Sequence, residues 1–323
     1  RQATVADAVG SRSFVYFADV RPYQETITGL YNRVIEHNYT TLGYIGLPSV
    51  LTTGANYTVS YGYQASTGRL NNVGWNVGGA GARSAAYTFT PSSDLLATKT
   101  IGNQVTTYSY EANRDLKTQI RNQYNSTTVS QYDYQYDAIG RRTSVANTGT
   151  AFAASAFNRF NYNNRSELAE SARYLGTDVN ILTNPVPSEY RHFDYDPIGN
   201  RTALTIASNS GTYTANNLNQ YAASTLPANS FTNDFDGNLT QVSGAKNVTY
   251  TYDAENRLIT AAPTTPAVND KRLTFTYDYQ GRRVQKVIAN WTGSAWSTQT
   301  TKQFVYDGWN MIEEITTGTG ATA

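Results

Sequence analysis

Cysteine is absent from this chain of 323 residues, which removes disulfides, thiolate nucleophiles and cysteine-ligated metals together. It leaves the compartment open, because a large secreted protein can dispense with disulfides. Histidine occurs only twice, at His37 and His192, so proton transfer near neutral pH has two candidate carriers. No apolar run is long enough to cross a bilayer as a helix, and membrane insertion is not expected. Neither sign of charge dominates: Lys+Arg 25 against Asp+Glu 24 leaves +1, and neither sign gathers into a block. A nucleic-acid partner is therefore not expected. Apolar residues reach only 39% even with tyrosine counted, too few for a thick core and better suited to thin walls. The length fits two domains or one extended one, and Arg1 and Ala323 read as cut points of a longer chain.

Tyrosine is what the chain has in excess, with 26 beside 11 Phe and 4 Trp. A dry interior buries a phenol only where its hydroxyl finds a partner, so these rings want a wet side. They also recur. With the second aromatic of "FDYD" (193–196) as anchor, equivalent positions fall at Tyr63, Phe89, Tyr110, Tyr136, Tyr162, Tyr195, Ala215, Asn233, Tyr252, Tyr277 and Tyr306. Their mean spacing of about 24 residues lies in the range of stacked repeats. An aromatic stands two residues before every anchor, from Tyr61 to Phe304. One residue after it come Asp137, Asp196, Asp234, Asp253, Asp278 and Asp307, or Asn163 and Asn216. Four residues after it come Gly140, Gly199, Gly237 and Gly281, or Asn219, Asn256 and Asn310.

These columns spell a hairpin. Aromatics at i and i+2 share one face of a strand. Aspartate at the first position of a type I turn accepts a hydrogen bond from the backbone two residues on. Gly or Asn at the fourth position tolerates positive φ. Pro91 and Pro197 fall at the second turn position, where a φ near −65° is wanted. Six residues after the anchor the chain returns with Leu95, Leu116, Leu168, Leu239, Leu258 and Ile312, or with Arg69, Arg142, Arg201 and Arg283. A leucine there packs on the ring, and an arginine lies over it as a cation–π partner.

Some frames depart from the pattern. Gly68 comes one place late, and Ser93, Arg114 and Ser166 occupy the closing position in theirs. The run 164–176, "NRSELAESARYLG", reads as a strand because Leu168 is in frame, with a capped helix as the other reading. The expected organisation is degenerate N-terminal hairpins of the same sheet over 1–56, tandem repeats over 57–315, and a flexible tail over 316–323. Within 1–56, "SFVYFADV" shows aromatic alternation without a full motif. Proline-bearing loops at 183–189 and 262–267 account for the long gaps near them.

Four stretches carry a resemblance to the YD-repeat, or Rhs, family. They are Tyr136-Asp137-Ala138-Ile139-Gly140-Arg141, Tyr195-Asp196-Pro197-Ile198-Gly199-Asn200-Arg201, Tyr252-Asp253-Ala254-Glu255-Asn256-Arg257-Leu258 and Tyr277-Asp278-Tyr279-Gln280-Gly281-Arg282. The segment "FVYDGWNMIEE" (304–314), with Tyr306 and Asp307, resembles a last repeat of such proteins. The resemblance covers roughly 57–315. It implies an all-β fold, a spirally wound antiparallel β-sheet of tandem hairpins forming a hollow shell, barrel or tube-like β-solenoid. Family shells enclose a C-terminal toxic domain in polymorphic bacterial toxins and in the C component of insecticidal toxin complexes. A related barrel in teneurins serves adhesion. The family's DPxGL autocleavage signature has no match here, and "DPIGN" (196–200) fits a repeat turn.

Residues that suggest chemistry have structural readings. His192 and Asp194 share a strand face with no nucleophile-elbow serine, and His37 has no ligand partner at metal spacing. The carboxylate pairs Asp133 with Asp137 and Asp194 with Asp196 recur with the repeat, which assigns them to turns rather than to glycosidase chemistry. "NVGGAGARS" (76–84) lacks the lysine of a phosphate loop. The expectation is a protein that is not an enzyme and has no cofactor or metal, a structural segment of a secreted or cell-surface bacterial shell. Its expected partners are an enclosed C-terminal domain or neighbouring copies of itself stacked head to tail. The alternative is an adhesion module that uses Trp75, Trp291 or Trp309 on a glycan or cell-surface partner.

Overall fold

The computed structural model describes residues 2–41, 46–54, 57–78 and 81–318. They form 27 strands and a single 3-10 turn, Pro187–Glu189. The chain opens with β1 (Thr4–Asp7), β2 (Gly10–Tyr16), β3 (Pro22–Gly29), β4 (Arg33–Tyr39) and β5 (Pro48–Thr53). Next come β6 (Tyr57–Tyr63), β7 (Leu70–Val77), β8 (Arg83–Phe89), β9 (Leu96–Ile101), β10 (Gln104–Tyr110) and β11 (Lys117–Tyr124). Then follow β12 (Thr127–Tyr136), β13 (Arg142–Thr148), β14 (Ala156–Tyr162), β15 (Leu168–Leu175), β16 (Arg191–Tyr195), β17 (Arg201–Ile206) and β18 (Asn209–Ala215). The series ends with β19 (Tyr221–Thr225), β20 (Ala228–Asn233), β21 (Leu239–Gly244), β22 (Val248–Tyr252), β23 (Leu258–Pro263), β24 (Lys271–Tyr277), β25 (Arg283–Trp291), β26 (Trp296–Asp307) and β27 (Asn310–Gly318). Residues 319–323 of the expected tail, and part of the glycine-rich run 76–84, lie outside the described residues.

The fold class is the one the sequence implied, an antiparallel sheet of tandem hairpins. Strand pairings among the described residues join neighbours in the chain, as in β10–β11, β12–β13, β13–β14, β24–β25 and β26–β27. Within 164–176 the chain is a turn followed by strand β15 rather than a helix, and β15 pairs with β14 from Ala156↔Leu175 to Tyr162↔Leu168.

Anchors end strands. Among the described residues the ladder slips by one residue between the anchor and its predecessor in ten frames, for instance at Gln135/Tyr136, Asp194/Tyr195 and Thr276/Tyr277. The bulge lets a short turn return the chain opposite the anchor, so Tyr136 faces Arg142, Tyr195 faces Arg201 and Tyr277 faces Arg283. The closing residue holds positive φ, +88° at Gly140, and Ser166 achieves the same at +65°.

Four expectations need correction. Tyr63, Phe89 and Tyr110 face Leu70, Leu96 and Lys117, one residue beyond Arg69, Leu95 and Leu116, because their turns are one residue longer. Tyr306 faces Met311 rather than Ile312, and Asn310 closes no turn. It starts β27 paired with Asp307, while Gly308 supplies the positive φ of +55° in a two-residue turn. The arginines at the return position lie over the aromatic two residues before the anchor: Arg142 over Tyr134 at 4.5 Å, Arg201 over Phe193 at 5.9 Å, Arg283 over Phe275 at 5.4 Å. Finally, "SFVYFADV" does contain a hairpin of the same construction. Its bulge lies at Val15/Tyr16, Tyr16 faces Pro22, and Val20 takes φ +77°, a conformation costly for a β-branched residue.

The chain divides into two units. One comprises Tyr39–Val50 and Asn56–Tyr213; its small core places Phe157, fully buried, with Ala146 and Val179 and stacked on Tyr174 at 5.3 Å. The other comprises Arg1–Asn38, Leu51–Ala55 and Thr214–Ala323, so it unites the two ends of the chain. Ile35, Val284 and Val305 are its most deeply buried aliphatic side chains. At its N-terminal end Gly10 pairs with Gly29, and a Cβ on Gly10 would sit 2.0 Å from the Thr28 carbonyl oxygen.

Candidate functional site

The repeat turn is a saturated carboxylate. Asp137 Oδ1 accepts from the backbone N–H of Ile139 at 3.1 Å and of Arg141 at 2.8 Å, while Oδ2 takes Arg141 Nε at 2.6 Å. The same three bonds recur at Asp253 with Glu255 and Arg257, and at Asp278 with Gln280 and Arg282. Asp196 and Asp234 use the amides of Asn200 and Asn238 as the third donor, at 2.7 and 3.1 Å. Where the first residue is Asn, its partner changes: Asn163 Nδ2 donates to Glu167 at 2.6 Å and Asn216 Nδ2 to Gln220 at 2.9 Å. The residue five after the anchor therefore matches the residue one after it, Asp with Arg or Asn, and Asn with Glu or Gln. Sequence reading missed this column, although the alternation was there to be seen.

Electrostatics follow from these bonds. The Asn200 and Asn238 amides hold the Asp196 and Asp234 carboxyls below the usual carboxylate range. At Asp137, desolvation pushes the carboxyl up and hydrogen bonds from Arg141 outweigh it; at Asp253 those from Arg257 do the same.

Each hairpin is then tied to the one before. Tyr136 Oη donates to the Lys117 carbonyl at 2.7 Å, and Lys117 is the residue facing the previous anchor, Tyr110. Tyr162 reaches Arg142, Tyr195 reaches Leu168, Tyr252 reaches Leu239, Tyr277 reaches Leu258 and Tyr306 reaches Arg283, all at 2.8–3.0 Å. Tyr110 to Leu96 follows the same rule at 2.9 Å. This is why the anchor is tyrosine while phenylalanine suffices two residues earlier. Burial raises the Tyr63, Tyr110, Tyr252 and Tyr277 phenols above their ordinary value. Turns are tied as well. Arg114 Nη1 donates to the Asp137 carbonyl at 2.8 Å, Arg165 Nη2 to that of Asp196 at 2.5 Å, and Arg282 Nη1 to that of Gly308.

One turn differs in its surroundings. Asp278 and Arg282 are 2% and 4% exposed, buried beneath the chain's first strands. Arg12, on β2, places Nη2 3.3 Å from Asp278 Oδ2 and its other guanidinium nitrogen on Glu25 of β3. Two arginines thus face two carboxylates, and the buried cluster is neutral. Burial alone would lower the Arg12 pKa; its bond to Glu25, with the nearby carboxylates, raises it instead. Around the cluster, Tyr279 N–H donates to Asp7 Oδ2 at 2.9 Å and Tyr31 Oη to the Phe304 carbonyl at 2.8 Å. Gln303 Nε2 donates to the Leu30 carbonyl at 2.8 Å, and Arg33 forms a two-pronged pair with Glu313 at 2.6 and 2.7 Å. These contacts clasp residues some 270 positions apart in sequence.

His192 and Asp194 sit 3.3 Å apart and exposed on β16. Asp133 accepts from Gln119 and Gln131. His37 lies 3.3 Å from Asp307 across the clasp, a partner that sequence spacing could not supply. Among the described residues no group of His, Asp and Glu is arranged to hold a metal ion. Trp291 packs edge-on against Trp296 at 5.1 Å, Trp75 is half-buried, and Trp309 stands at a turn tip, 71% exposed.

No protein-family model matches this chain, and no curated protein matches it. Among solved structures it is similar to the crystal structure of TcdB2-TccC3-TEV, at 12% identity and TM-score 0.47, over 95% of this chain and 21% of that one. The crystal structure of TcdB2-TccC3-Cdc42 gives 12% and 0.47 over 99% and 21%. A porin-like protein from Bacteroides uniformis gives 13% and 0.23 over 88% and 94%. The chain spans about a fifth of the length of the two toxin-complex chains.

Proposed function

We propose that the chain is a non-catalytic structural segment of a YD-repeat (Rhs) shell, secreted or displayed at a bacterial surface, which walls off an enclosed domain. The observation that carries this reading is the anchor tyrosine. In frame after frame its hydroxyl is committed to the preceding hairpin, so the most repeated polar group builds the wall and is not free to react. The turn carboxylates are likewise consumed by their own turns. Single-particle electron microscopy of the purified chain tests the reading. A curved wall bordering an open space is the expected image, and a compact solid particle would contradict it.

A second reading, adhesion or stacking on neighbouring copies, is favoured by the turn tips. Ile139, Ile198, Leu218 and Trp309 occupy the same position, three residues after their anchors, and are 71–77% exposed. Phe235 stands fully exposed one place earlier in its turn. The recurrence of an exposed apolar side chain at one place in the turn is what favours this reading. Sedimentation of the chain against an Ile198→Ser, Trp309→Ser variant separates the two. Concentration-dependent association lost in the variant supports stacking; a monomer throughout removes it.

A further inference from the structure

On the strands β8 to β11, two adjoining hollows of about 250 and 670 Å3 share Ile101, Gln104 and Tyr124 in their linings. Lys99 lines the first and Arg83 the second, and no Asp or Glu lines either. Arginines of the repeat turns are spent on a carboxylate and a ring, as Arg141 is on Asp137 and Tyr162. These two cations are not spent. Among the described residues neither side chain has an ion pair, a hydrogen bond or a ring contact, and the same holds for the Gln104 amide and the Tyr124 hydroxyl. Arg83 and Gln104 are exposed, Lys99 is half-buried and Tyr124 is 50% exposed. Register puts all of them on one face. Lys99 lies opposite Tyr87, and Arg83 stands four residues before Tyr87 on the unbulged part of β8, an even offset that keeps the side. Gln104 lies opposite both Ile101 and Tyr124, and Ile101 is two residues from Lys99. Four residues along a strand and one strand across set the two cations about 14 Å apart at their Cα atoms, with Ile101 between them.

We propose that this face binds an extended acidic peptide segment of the pattern acid-x-apolar-x-acid. In an extended chain the first, third and fifth residues point to one side, and the outer two lie about 13 Å apart. One carboxylate then meets Lys99 and the other Arg83, while the apolar side chain between them covers Ile101 and Tyr124. The Gln104 amide and Tyr124 hydroxyl are left for the peptide's own N–H and C=O groups, which need partners. A basic segment finds no carboxylate in this lining, and a neutral one leaves both cations unused. A compact anion such as phosphate reaches both only if the two long side chains lie flat along the sheet. This inference goes beyond the wall reading and does not rest on it, so either stands if the other fails.

Saturation-transfer NMR on the full chain tests it with three capped peptides: EGLGE, its neutral counterpart QGLGQ, and EEGLG, which keeps the composition and loses the spacing. Saturable binding of EGLGE, read at its leucine methyls, is expected to be about fivefold tighter than that of EEGLG, with none for QGLGQ. Lys99→Gln and Arg83→Gln should each weaken EGLGE about fivefold. Neither side chain holds another residue in place, so unfolding midpoints should not move. If Lys99→Gln shifts the midpoint, Arg83→Gln alone decides. The proposal is overturned by an absence of saturable EGLGE binding, by equal affinity for EEGLG, or by binding indifferent to the deciding variant. Displacement of EGLGE by tripolyphosphate at a concentration below the peptide's own Kd would overturn it too, since it would mark a phosphate site instead.

Discussion

The turns at Asp137 and Asp278 are built from the same parts and live in different surroundings. Each carboxylate caps two backbone N–H groups and one arginine, and each arginine lies over the ring of the next anchor, Arg141 over Tyr162 at 4.8 Å and Arg282 over Tyr306 at 5.3 Å. Yet the Asp137 and Arg141 side chains are 22% and 30% exposed, whereas those of Asp278 and Arg282 are 0% and 3%. The difference is made by Arg12, Glu25, Asp7 and Tyr31, supplied from the other end of the chain. A turn whose polar groups are already satisfied is a surface that can be buried at little further cost. One addition was needed, Arg12, whose charge is balanced by Glu25.

The same substitution should therefore have very different effects at the two turns. Asp278→Asn leaves Arg12 and Arg282 facing an amide in a site closed to water. A loss of about 3–5 kcal/mol is expected, read in chemical denaturation from tryptophan fluorescence, since Trp291, Trp296 and Trp309 share that unit. Asp137→Asn keeps the caps in a half-open turn and should cost far less. Equal effects would mean that burial is not what distinguishes the two.

The tyrosine ties give a smaller, additive test. Tyr277→Phe removes one donor and leaves the Leu258 carbonyl unsatisfied, at about 1 kcal/mol. The rule also works in reverse. Phe89 is an anchor without a hydroxyl, and the residue facing the previous anchor is Leu70. Phe89→Tyr should form the missing tie and raise the denaturation midpoint of its unit; a drop would show that the ties are incidental.

Titration separates turns from ties. The Asp137, Asp196, Asp234 and Asp253 carboxyls are depressed in the folded chain, so their contribution is complete above about pH 4 and is lost as pH falls toward their folded values. The raised phenols of Tyr63, Tyr110, Tyr252 and Tyr277 work the opposite way. Their contribution is complete below about pH 10 and is lost as pH rises through the folded values. Circular dichroism across pH should show flat stability between these limits, and alkaline loss should track tyrosinate absorbance.

The smallest effect concerns the matched pair within a turn. Asn163→Asp alone places a carboxylate against Glu167 and should destabilise; adding Glu167→Arg should restore the midpoint, a double-mutant cycle with opposite-signed steps. Additive losses would mean that the alternation of Asp–Arg and Asn–Glu is accidental.

Much of this architecture was legible because it is local. Tyr, Asp and Gly at fixed offsets name a strand, an Asx turn and a residue of positive φ, and nothing distant is needed to realise them. The hidden parts fall into two kinds. Arg141, Arg257 and Arg282 were written in the repeat but overlooked, because a column alternating between Arg, Asn, Glu and Gln looks random until it is set beside the Asp or Asn it serves. The clasp was not written in any spacing. Nothing in "GSRS" marks Arg12 as the partner of Asp278, and His37 meets Asp307 only because the first strands return to the last turns. Val20 escaped for a third reason, since a β-branched residue at positive φ contradicts the turn chemistry that identified the other frames.

That consecutive hairpins lie side by side in one register is the claim beneath all of this, and the absence of native cysteine makes it directly testable. Between the hairpins of Tyr136 and Tyr162, Val145 faces Asn158. A Val145→Cys, Asn158→Cys chain should oxidise readily to an internal disulfide, while Val145→Cys with Asn161→Cys, displaced along β14, should not. Efficient cross-linking of the displaced pair, or none of the facing pair, would contradict that register.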